Sequence, residues 1–587
     1  MRSVYHIFVA LQYFFLKEIL AYQFKENTND PIITGIIAAF GYFNSDAYTD
    51  VFTLQRGYIL QVLLGSENGQ FQPEPHINCS FGRVITSVVP GDFNGDNFMD
   101  ILVTLSHEND INDVMVLWGN NNSVDCKAHL LFSLTSQPVI ADFNGDMIPD
   151  IIGEVGVGQR YAWISSFDKS FKNHSIKSDQ NFRKPHSSGL GDFNNDLASD
   201  ILITGEDYME LWYNTGTGYI RNGSLPYPKV SWLQHIFPQQ STFVDINLDG
   251  VLDHIMPVCY DSNCLTSAIY IRSSNALEWR ILFDDFNYGE SYWHFRKPTG
   301  SPLEIAALPV TLRAGDIDMD GYPDFITVLQ SKSNPSINKA VIFNNIQCSN
   351  CSDCTHERCL KIDWEVAGLK DIVDIQIATF FDISEDGIMD VVASSKTKGD
   401  WKIHALKNIE PSESCFMKVL VHSGLPLLDT KTETPYGVNQ PGPMVRYNLT
   451  KEDGERVVGC SIQMSQSAHF PLQLPYSIFG LGQTPNFIDA LTVAIPAKFK
   501  KNVHKKEWNQ IIPNSQIIVI PNPPQDEEKW VRKLFVTPSK FVIYTCIALT
   551  GTCIFISLIV ALLHWKERKE DKKEKMQDAY RFHFDAM

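Results

Sequence analysis

The chain has 587 residues, which is too long for one ordinary domain and predicts several. Aromatic residues make up 12% of the sequence and include 36 Phe, a composition typical of a large all-β core. The formal net charge of −19 argues against nucleic acid as a partner, because the sequence has no basic stripe that could neutralise phosphates. Much of this acidity has a local source, since six short loops hold nineteen of the Asp residues.

The first segment, residues 1–21, is predicted to be a secretory signal peptide. Arg2 precedes an apolar run from Ile7 to Leu16, and Ile19-Leu20-Ala21 follows, with cleavage expected near Ala21 or Tyr22. A charged Lys-Glu pair interrupts the pattern after that run, so an uncleaved anchor is the alternative.

Residues 22–410 are organised around a nine-residue loop that recurs. Its clearest copy, 316–324, has Asp at loop positions 1, 3, 5 and 9 and Gly at position 6. Carboxylates at this spacing fold around one hard cation, and the carbonyl of Tyr322 at position 7 can join them. Calcium is favoured over magnesium, because a flexible all-oxygen loop outside the cell suits the larger ion. A single such loop could be an ordinary Asx turn, but six intact copies favour a structural metal site.

The predicted side-chain ligands occupy positions 1, 3, 5 and 9 of the six intact copies. They are Asp92, Asn94, Asp96, Asp100, Asp142, Asn144, Asp146, Asp150, Asp192, Asn194, Asp196, Asp200, Asp245, Asn247, Asp249, Asp253, Asp316, Asp318, Asp320, Asp324, Asp382, Ser384, Asp386 and Asp390. A seventh copy, 42–50, has Tyr42 in place of the first Asp and is expected to bind no metal.

Three residues depart from the pattern. Met147 and Leu197 occupy position 6, where Gly or Asn more easily takes a left-handed backbone, and Ser384 is a weaker ligand than Asp or Asn. We therefore expect calcium first at 245–253 and 316–324, next at 382–390 and 92–100, and last at 142–150 and 192–200.

The spacing of the loops predicts what they build. Their first positions fall at 42, 92, 142, 192, 245, 316 and 382, and strand-like runs follow each one. A repeat of this size with about four short strands is typical of one propeller blade. Residues 22–410 are thus predicted to form a seven-bladed β-propeller. Longer spacing after Asp253 and Asp324 predicts two insertions on one face of the ring, which we hypothesise to be part of a partner surface.

The remaining chain carries a second domain and a membrane anchor. Short alternating runs and turn signals predict a small β-sandwich-like, membrane-proximal domain at 411–525, and 526–540 is expected to be a stalk. Residues 541–563 lack charge over a length that spans a bilayer. Basic residues follow at once, so the tail, 564–587, is predicted to be cytosolic and flexible. The fold class is therefore all-β with one transmembrane helix.

Glycosylation and disulfides fit a type I single-pass topology. Six Asn-X-Ser/Thr sequons lie on the lumenal side: Asn78, Asn121, Asn173, Asn222, Asn350 and Asn448. Cys259 and Cys264 can close a local loop, and the four cysteines in 348–359 favour two disulfides over a zinc site. The pairing of the others stays open: Cys79, Cys126, Cys415 and Cys460.

The units at 91–100, 141–150 and 191–200 resemble the FG-GAP repeats of integrin α-subunit propellers. That resemblance implies loops that bind calcium structurally and a propeller that presents a ligand or partner surface. The second domain resembles the small β domain that follows such repeats in secreted cartilage-type proteins. As a whole, including the stretch 437–443 and the tail end 581–587, the chain resembles a family of FG-GAP-repeat type I membrane glycoproteins. This implies a cell-surface protein that modulates T cells and adhesion, with an ectodomain that can be shed.

The preferred function is a binding and signalling glycoprotein of the plasma membrane that contacts protein partners through the propeller face or inserted loops. The alternative is an adhesion or lumenal scaffold that acts in cis and uses its cytosolic tail as a contact. A propeller hydrolase is less favoured, because the sequence has no Gly-X-Ser-X-Gly or His-Glu-X-X-His motif. His174, His254 and His294 are scattered, and no enzyme activity or small-molecule substrate is expected.

Overall fold

The structure, a computed structural model, describes most of the chain. The described residues are 24–26, 33–67, 69–107, 111–120, 123–127, 129–233, 235–273, 276, 278–296, 309–348, 358–397, 399–409, 414–425, 437–451, 454–483, 487–496, 498, 503–537 and 540–584. The predicted signal peptide, 1–21, lies outside them. The chain divides into two compact units, residues 1–535 and 536–587.

Seven antiparallel sheets follow one another along the first 410 residues, and each is one blade. Two short N-terminal strands come first: β1 (Phe24–Glu26) and β2 (Ile33–Thr34). Blade one contains β3 (Ile36–Gly41), β4 (Asp50–Gln55), β5 (Ile59–Leu64) and β6 (Gln72–Ser80). Blade two contains β7 (Ile85–Gly91), β8 (Asp100–Ser106), β9 (Asn112–Leu117), the small hairpin β10 (Gly119–Asn120) and β11 (Ser123–Val124), and β12 (His129–Leu134).

The middle blades have the same strand order. Blade three contains β13 (Val139–Ala141), β14 (Asp150–Gly156), β15 (Gln159–Ser165) and β16 (Phe171–Ile176). Blade four contains β17 (Gly189–Gly191), β18 (Asp200–Thr204), β19 (Met209–Asn214) and β20 (Tyr219–Leu225). Blade five contains β21 (Phe237–Pro238), β22 (Thr242–Val244), β23 (Asp253–Cys259), β24 (Ser267–Arg272) and β25 (Arg280–Phe283).

Blade six has the most strands, and blade seven is completed by the N-terminal strands. Blade six contains β26 (Asn287–Tyr288), β27 (Ser291–Phe295), β28 (Arg313–Gly315), β29 (Asp324–Ser331), β30 (Asn338–Gln347) and β31 (Arg358–Asp363). Blade seven contains β32 (Ile375–Phe381), β33 (Asp390–Thr397) and β34 (Asp400–Asn408). The N-terminal strands β1 and β2 both pair with β34, and Phe24 lies opposite Asn408. The two ends of the propeller sequence thus share one sheet, which confirms the predicted seven-bladed ring.

The strands form because their residues suit sheets that are covered on both faces. The sequence of β8 is almost wholly apolar or β-branched and is buried along nearly its full length, as expected where blades pack face to face. Adjacent blades interlock through aromatic side chains, such as Phe40 on β3 and Phe381 on β32, whose ring centroids are 4.6 Å apart.

The second domain consists of two four-stranded sheets, which confirms the predicted sandwich. Its strands are β35 (Cys415–Val421), β36 (Met444–Thr450), β37 (Arg456–Ile462), β38 (Ser477–Gly482), β39 (Ile488–Pro496), β40 (Val503–Ile511), β41 (Ser515–Ile520) and β42 (Val531–Val536). One sheet has the order β38-β35-β41-β42 and the other β37-β36-β39-β40. Buried side chains from both sheets, including Val419, Tyr447 and Leu491, form its core.

The region predicted as a stalk, 526–540, differs from the prediction. A 3-10 turn at Glu527–Lys529 is followed by β42, which joins the sheet next to β41. The domain therefore extends to Val536. The charged residues after Pro524 suggested a linker, but Trp530 among them is buried and its indole nitrogen donates to the Pro523 carbonyl oxygen at 3.2 Å.

The C-terminal unit contains one helix, α1 (Lys540–Phe584). Its segment Thr545–Asp578 includes a window of mean hydropathy 2.6 and is long and apolar enough to cross a membrane. The tail, predicted to be flexible, is helical as far as Phe584. Its run of Lys, Glu and Arg combines high charge with strong helix propensity, and the charge alone suggested disorder.

Candidate metal loops and the domain that covers them

All seven recurring loops lie on one face of the propeller, which we call the loop face. Each loop joins the innermost strand of its blade to the next strand, as 92–100 joins β7 to β8. Because the strand order is the same in every blade, these connections emerge at the same end of the ring.

All seven loops have a left-handed residue at position 4, and the six intact loops have a second one at position 6. Position 4 is left-handed even at Leu248 and Met319, with φ of 58° and 59°. Met147 and Leu197 at position 6 also adopt it, with φ of 68° and 69°. The two predicted departures therefore keep the loop conformation. Met147 is buried in the core of the second domain, and that packing offsets the cost of its backbone.

The Asp at position 9 fastens each loop to its blade. In 92–100 the Asp100 carboxylate accepts the N–H of Phe93 at 2.9 Å and the N–H of Gly119, beyond the third strand, at 2.7 Å. The same two bonds occur at Asp50, Asp150, Asp200, Asp324 and Asp390. The sequence predicted only a metal ligand at this position. The degenerate loop 42–50, which is expected to bind no metal, nevertheless keeps an Asp at position 9, and this was the sequence signal for a structural role.

The Asp at position 1 is buried among other acids. Burial, and after it the charge of Asp146, raises the pKa of Asp142 to about 8. Burial followed by the charge of Asp249 raises the pKa of Asp245 to about 8 as well. A divalent cation would favour the charged form of such carboxylates, so the electrostatics suit a metal ion.

Position 3 is Asn in four of the six intact loops, and its amide bonds to the Asp at position 5. Asn94 Nδ2 donates to Asp96 Oδ2 at 2.8 Å, and its Oδ1 accepts the Asp96 N–H at 3.0 Å. Matching amide–carboxylate bonds occur at Asn144, Asn194 and Asn247. In these four loops the predicted ligands at positions 3 and 5 are therefore linked to each other.

Loop 316–324 offers the most open arrangement for a cation. Oxygens of Asp316, Asp318 and Asp324 all lie within 4.8 Å of one another, the one such group of acidic, His or Cys ligands in the described parts of the chain. Asp316 Oδ2 accepts the Gly321 N–H at 2.8 Å, whereas its Oδ1 is buried without a hydrogen bond. A free, buried carboxylate oxygen facing two further carboxylates fits calcium.

The second domain covers the loop face. The Val458 N–H donates to the Leu248 carbonyl oxygen at 3.3 Å, and the Gly482 N–H donates to the Met319 carbonyl oxygen at 2.9 Å. Phe416 packs against Gly387, where an added Cβ would lie 2.3 Å from the ring.

Contacts to the remaining loops complete the cover. Asn97 Nδ2 donates to the Leu425 carbonyl oxygen at 3.0 Å, and the Lys498 N–H donates to the Gly145 carbonyl oxygen at 3.1 Å. Ser199 approaches Gly442, and Tyr42 clusters with Leu420 and Tyr476. Every loop therefore meets the second domain, an arrangement that no spacing in the sequence indicated.

The connection between β37 and β38, residues 463–476, enters the centre of the propeller and is called the plug. Phe470 and Leu472 join the hydrophobic core of blade one. Arg313 on the inner strand of blade six donates to the carbonyl oxygens of Phe470 and Pro471, both at 3.1 Å. The rings of His186, beside blade four, and His469 are 5.4 Å apart. The plug thus contacts three separate blades.

The described flanks of the two insertions lie at opposite ends of blade six, which differs from the prediction that the insertions share one face; residues 297–308 and 349–357 lie outside the described residues. In the first insertion, β27 pairs with the end of β29 farthest from the loop face, with Trp293 opposite Ser331. The second follows β30, and Arg358 at its far side lies 3.9 Å from Asp320 on the loop face. The end of the blade at which an insertion begins depends on the direction of the preceding strand, and the spacing of the loops in the sequence does not indicate that direction.

Disulfides and sequons are placed as follows. Cys79 pairs with Cys126, the local Cys259–Cys264 bridge is confirmed, and Cys348 pairs with Cys359. Cys415 and Cys460 are free thiols, whereas Cys351 and Cys354 lie outside the described residues. The described sequon residues are all exposed: Asn78, Asn173, Asn222 and Asn448. Asn121 and Asn350 lie outside the described residues.

The three scattered histidines do not meet. His174, His254 and His294 lie on β16, β23 and β27, in three different blades. His254 Nε2 is 2.8 Å from Ser241 Oγ, and burial lowers the pKa of this imidazole to about 3. It is a packed, neutral side chain.

Comparison with known proteins places the chain in a family. An FG-GAP-like repeat profile matches residues 43–103, and a profile described as "ITFG1, C2 domain" matches residues 435–535. The "T-cell immunomodulatory protein" of Mus musculus is 40% identical over 94% of this chain and 92% of its own length, and that of Homo sapiens has the same values. "Protein linkin" of Caenorhabditis elegans is 26% identical over 95% of this chain and 96% of its length. The chain belongs to the T-cell immunomodulatory protein family.

Proposed function

We propose that this protein is a plasma-membrane glycoprotein that binds a protein partner on other cells and modulates T cells. The family membership supports a surface or adhesion-type protein with one membrane-spanning helix. Exposed sequons on the propeller and on the second domain support a lumenal or extracellular location for both. Release of the ectodomain, residues 22–535, is part of the proposal.

One observation carries the assignment of the partner surface. The second domain contacts all seven loops, so the loop face is occupied by the protein itself. We therefore assign partner binding to the opposite face, where the first insertion lies. There Tyr288 stacks on Trp364 with ring centroids 4.9 Å apart, and Trp293 lies 5.4 Å from the same indole. Tyr288 is 37% exposed, and a rigid aromatic group of this kind suits a protein interface.

Calcium is proposed as a structural ion in loops 92–100, 142–150, 192–200, 245–253 and 316–324. The buried acids at position 1 and the free oxygen of Asp316 support it. Each ion would neutralise carboxylates that otherwise repel one another, and would so stiffen the loop beneath the second domain.

The test is binding of the purified, glycosylated ectodomain to a panel of intact cells, in calcium and in chelator. We expect saturable binding to lymphoid cells that Tyr288→Ala weakens at least tenfold. Ile220→Ala is the matched control, because Ile220 is 62% exposed but lies on β20 of another blade. Folded ectodomain that binds no cell would favour the second candidate, a scaffold that acts in cis through its cytosolic tail.

The helical C-terminal segment supports this second candidate, the scaffold that acts in cis. Helix α1 continues from the apolar segment through the charged residues to Phe584. An exposed charged helix is a defined contact surface for a cytosolic partner, which a flexible tail would not be. Function lost on deletion of 566–587, with cell binding of the ectodomain absent, would support this candidate.

A further inference from the structure

Loop 382–390 holds a cation that the protein itself supplies. Lys418 on β35 of the second domain is buried, with 3% of its side chain exposed. Its Nζ lies 3.7 Å from Asp382 Oδ2 and donates to Glu385 Oε2. The ammonium also lies 3.7 Å from the centroid of the Tyr476 ring. Two carboxylates and one aromatic face therefore surround this charge.

Glu385, at position 4 of the loop, connects three parts of the molecule. Its Oε1 accepts the N–H of Thr49 at 3.0 Å and the Thr49 hydroxyl at 2.6 Å, and Thr49 belongs to the degenerate loop 42–50. Its backbone carbonyl accepts Gln516 Nε2 at 2.7 Å, from β41 of the second domain. Blade one, blade seven and the second domain thus meet at a single side chain.

This surrounding does not fit a calcium ion. Asp382 is the position-1 ligand and lies deepest in the loop, so a metal bound to it would lie close to the Lys418 ammonium and be repelled. Position 3 is Ser384, which brings a neutral hydroxyl where the other loops have Asp or Asn. Burial of the lysine is tolerable because both carboxylates pair with it.

Loop 316–324 shows the contrast. Its nearest basic partner, Arg358, lies 3.9 Å from Asp320 Oδ2 at position 5, and the Asp320 side chain is 44% exposed. Within the described residues, Asp316 at position 1 forms no ion pair, and its Oδ1 stays without a donor. The Arg358 guanidinium therefore lies at the rim of loop 316–324, whereas the Lys418 ammonium lies at the centre of loop 382–390.

We propose that the Lys418 ammonium takes the place of a metal ion in loop 382–390, so that this loop joins the propeller to the second domain without calcium. The junction includes the degenerate loop 42–50, which lacks its first Asp and is reached through Glu385. The inference does not depend on calcium binding elsewhere. On this proposal Asp382, Ser384, Asp386 and Asp390, which the sequence analysis expected to hold calcium, hold none.

The test counts calcium ions on the full-length protein in detergent, by mass spectrometry of the metal after equilibrium dialysis at millimolar calcium. Asp386→Asn should bind as many ions as the unaltered protein. Asp320→Asn, the same change at position 5 of loop 316–324, should bind one fewer. Loss of one ion in Asp386→Asn would overturn the proposal.

A second variant tests the lysine directly. Lys418→Met removes the ammonium and leaves the acids, so the variant should bind one calcium ion more than the unaltered protein. Calcium should also raise the melting temperature of the variant by more than it raises that of the unaltered protein. Folding in calcium but not in chelator would support the proposal equally. A folded Lys418→Met protein that gains no ion would contradict it, and if the variant folds in neither condition, Asp386→Asn alone decides.

Discussion

Within each nine-residue loop the acidic residues have different surroundings, so that some of them hold the loop to its blade and others are available to a metal ion. At position 9 both carboxylate oxygens accept hydrogen bonds from backbone N–H groups, as at Asp100. Position 5 caps the turn, as where Asp320 Oδ1 accepts the Tyr322 N–H at 2.8 Å, and the other oxygen of Asp320 is not used by the backbone bonds that fasten the loop to its blade. Substitutions at position 5 therefore report on the metal with the least damage to the blade.

The first prediction compares Asp320→Ala with Asp46→Ala. Asp320 lies in the most open metal loop, whereas Asp46 is the position-5 residue of the loop that lacks its first Asp. With an affinity typical of extracellular calcium modules, we expect Asp320→Ala to lower the free energy of unfolding by roughly 1 kcal/mol more in millimolar calcium than in chelator. Thermal denaturation in both conditions measures this. Asp46→Ala should cost the same in both, and an equal loss in both for Asp320→Ala would mean that its site is empty.

The second prediction concerns pH. Burial and neighbouring charge raise the pKa of Asp92 to about 7 and of Asp142 and Asp245 to about 8, above the values near 4 in the unfolded chain. In chelator these acids bind protons in the folded state, so their contribution to stability is fully present below about pH 4 and is lost as pH rises through 7 to 8. Protons compete with calcium at the same oxygens, so the stabilisation by calcium should shrink as pH falls.

Melting temperatures from pH 8 to pH 5, with calcium and with chelator, measure both effects. The two curves should converge toward pH 5. Parallel curves over this range would show that the raised pKa values do not belong to metal ligands.

At the residue scale, the sequence predicted the ligand set of each loop but not the neighbours of that set. The spacing of Asp and Asn predicts that positions 1, 3, 5 and 9 converge because it acts within nine residues, and in loop 316–324 oxygens of positions 1, 3 and 9 lie within 4.8 Å of one another. Lys418 lies 36 residues beyond Asp382, on a strand of another domain, and no local pattern connects them. The position-4 residues were also missed, since Leu248 and Met319 look unsuited to the left-handed backbone that they adopt.

Strand β38 shows how closely the second domain approaches the loop face. At Gly480 an added Cβ would lie 2.1 Å from Asp316 Oδ2 and 2.6 Å from the backbone of Met319. No side chain fits there, so the glycine sets the distance between the domain and the most open metal loop.

The third prediction is that Gly480→Ala destabilises the first compact unit by roughly 1–3 kcal/mol, the usual cost of overpacking, and weakens calcium binding at loop 316–324. Gly223→Ala on β20 is the control, because its nearest atom would be Leu211 Cδ1 at an ordinary 3.7 Å. Chemical denaturation and calcium titration of both variants measure the effects. A Gly480→Ala protein as stable as the control would contradict the close contact between β38 and the loop.

At the element scale, repetition made the blades predictable. Seven copies of one motif at a spacing near one blade predict the ring, and two runs of alternating residues predict the sandwich. The elements that were wrong lack such repetition. β42 follows a charged segment that resembled a linker, and the end at which each insertion lies depends on strand direction.

For the whole molecule, the propeller and the second domain form one compact unit, residues 1–535. The plug supports this view, because Arg313, half-buried on an inner strand, donates hydrogen bonds to the carbonyl oxygens of Phe470 and Pro471. A partner that needs the loop face would have to displace the second domain. Binding at the opposite face requires no such opening, and that is where we assign it.

The measurement that tests this account most directly is hydrogen–deuterium exchange of the full-length protein in calcium and in chelator. If calcium stiffens the loops on which the second domain lies, chelation should speed exchange in loops such as 245–253 and 316–324 and also in β37 and β38, which bond to them. Exchange near Lys418 and loop 382–390 should change least. Faster exchange confined to the loops, or no change in either place, would contradict the claim that calcium and the second domain act on the same face.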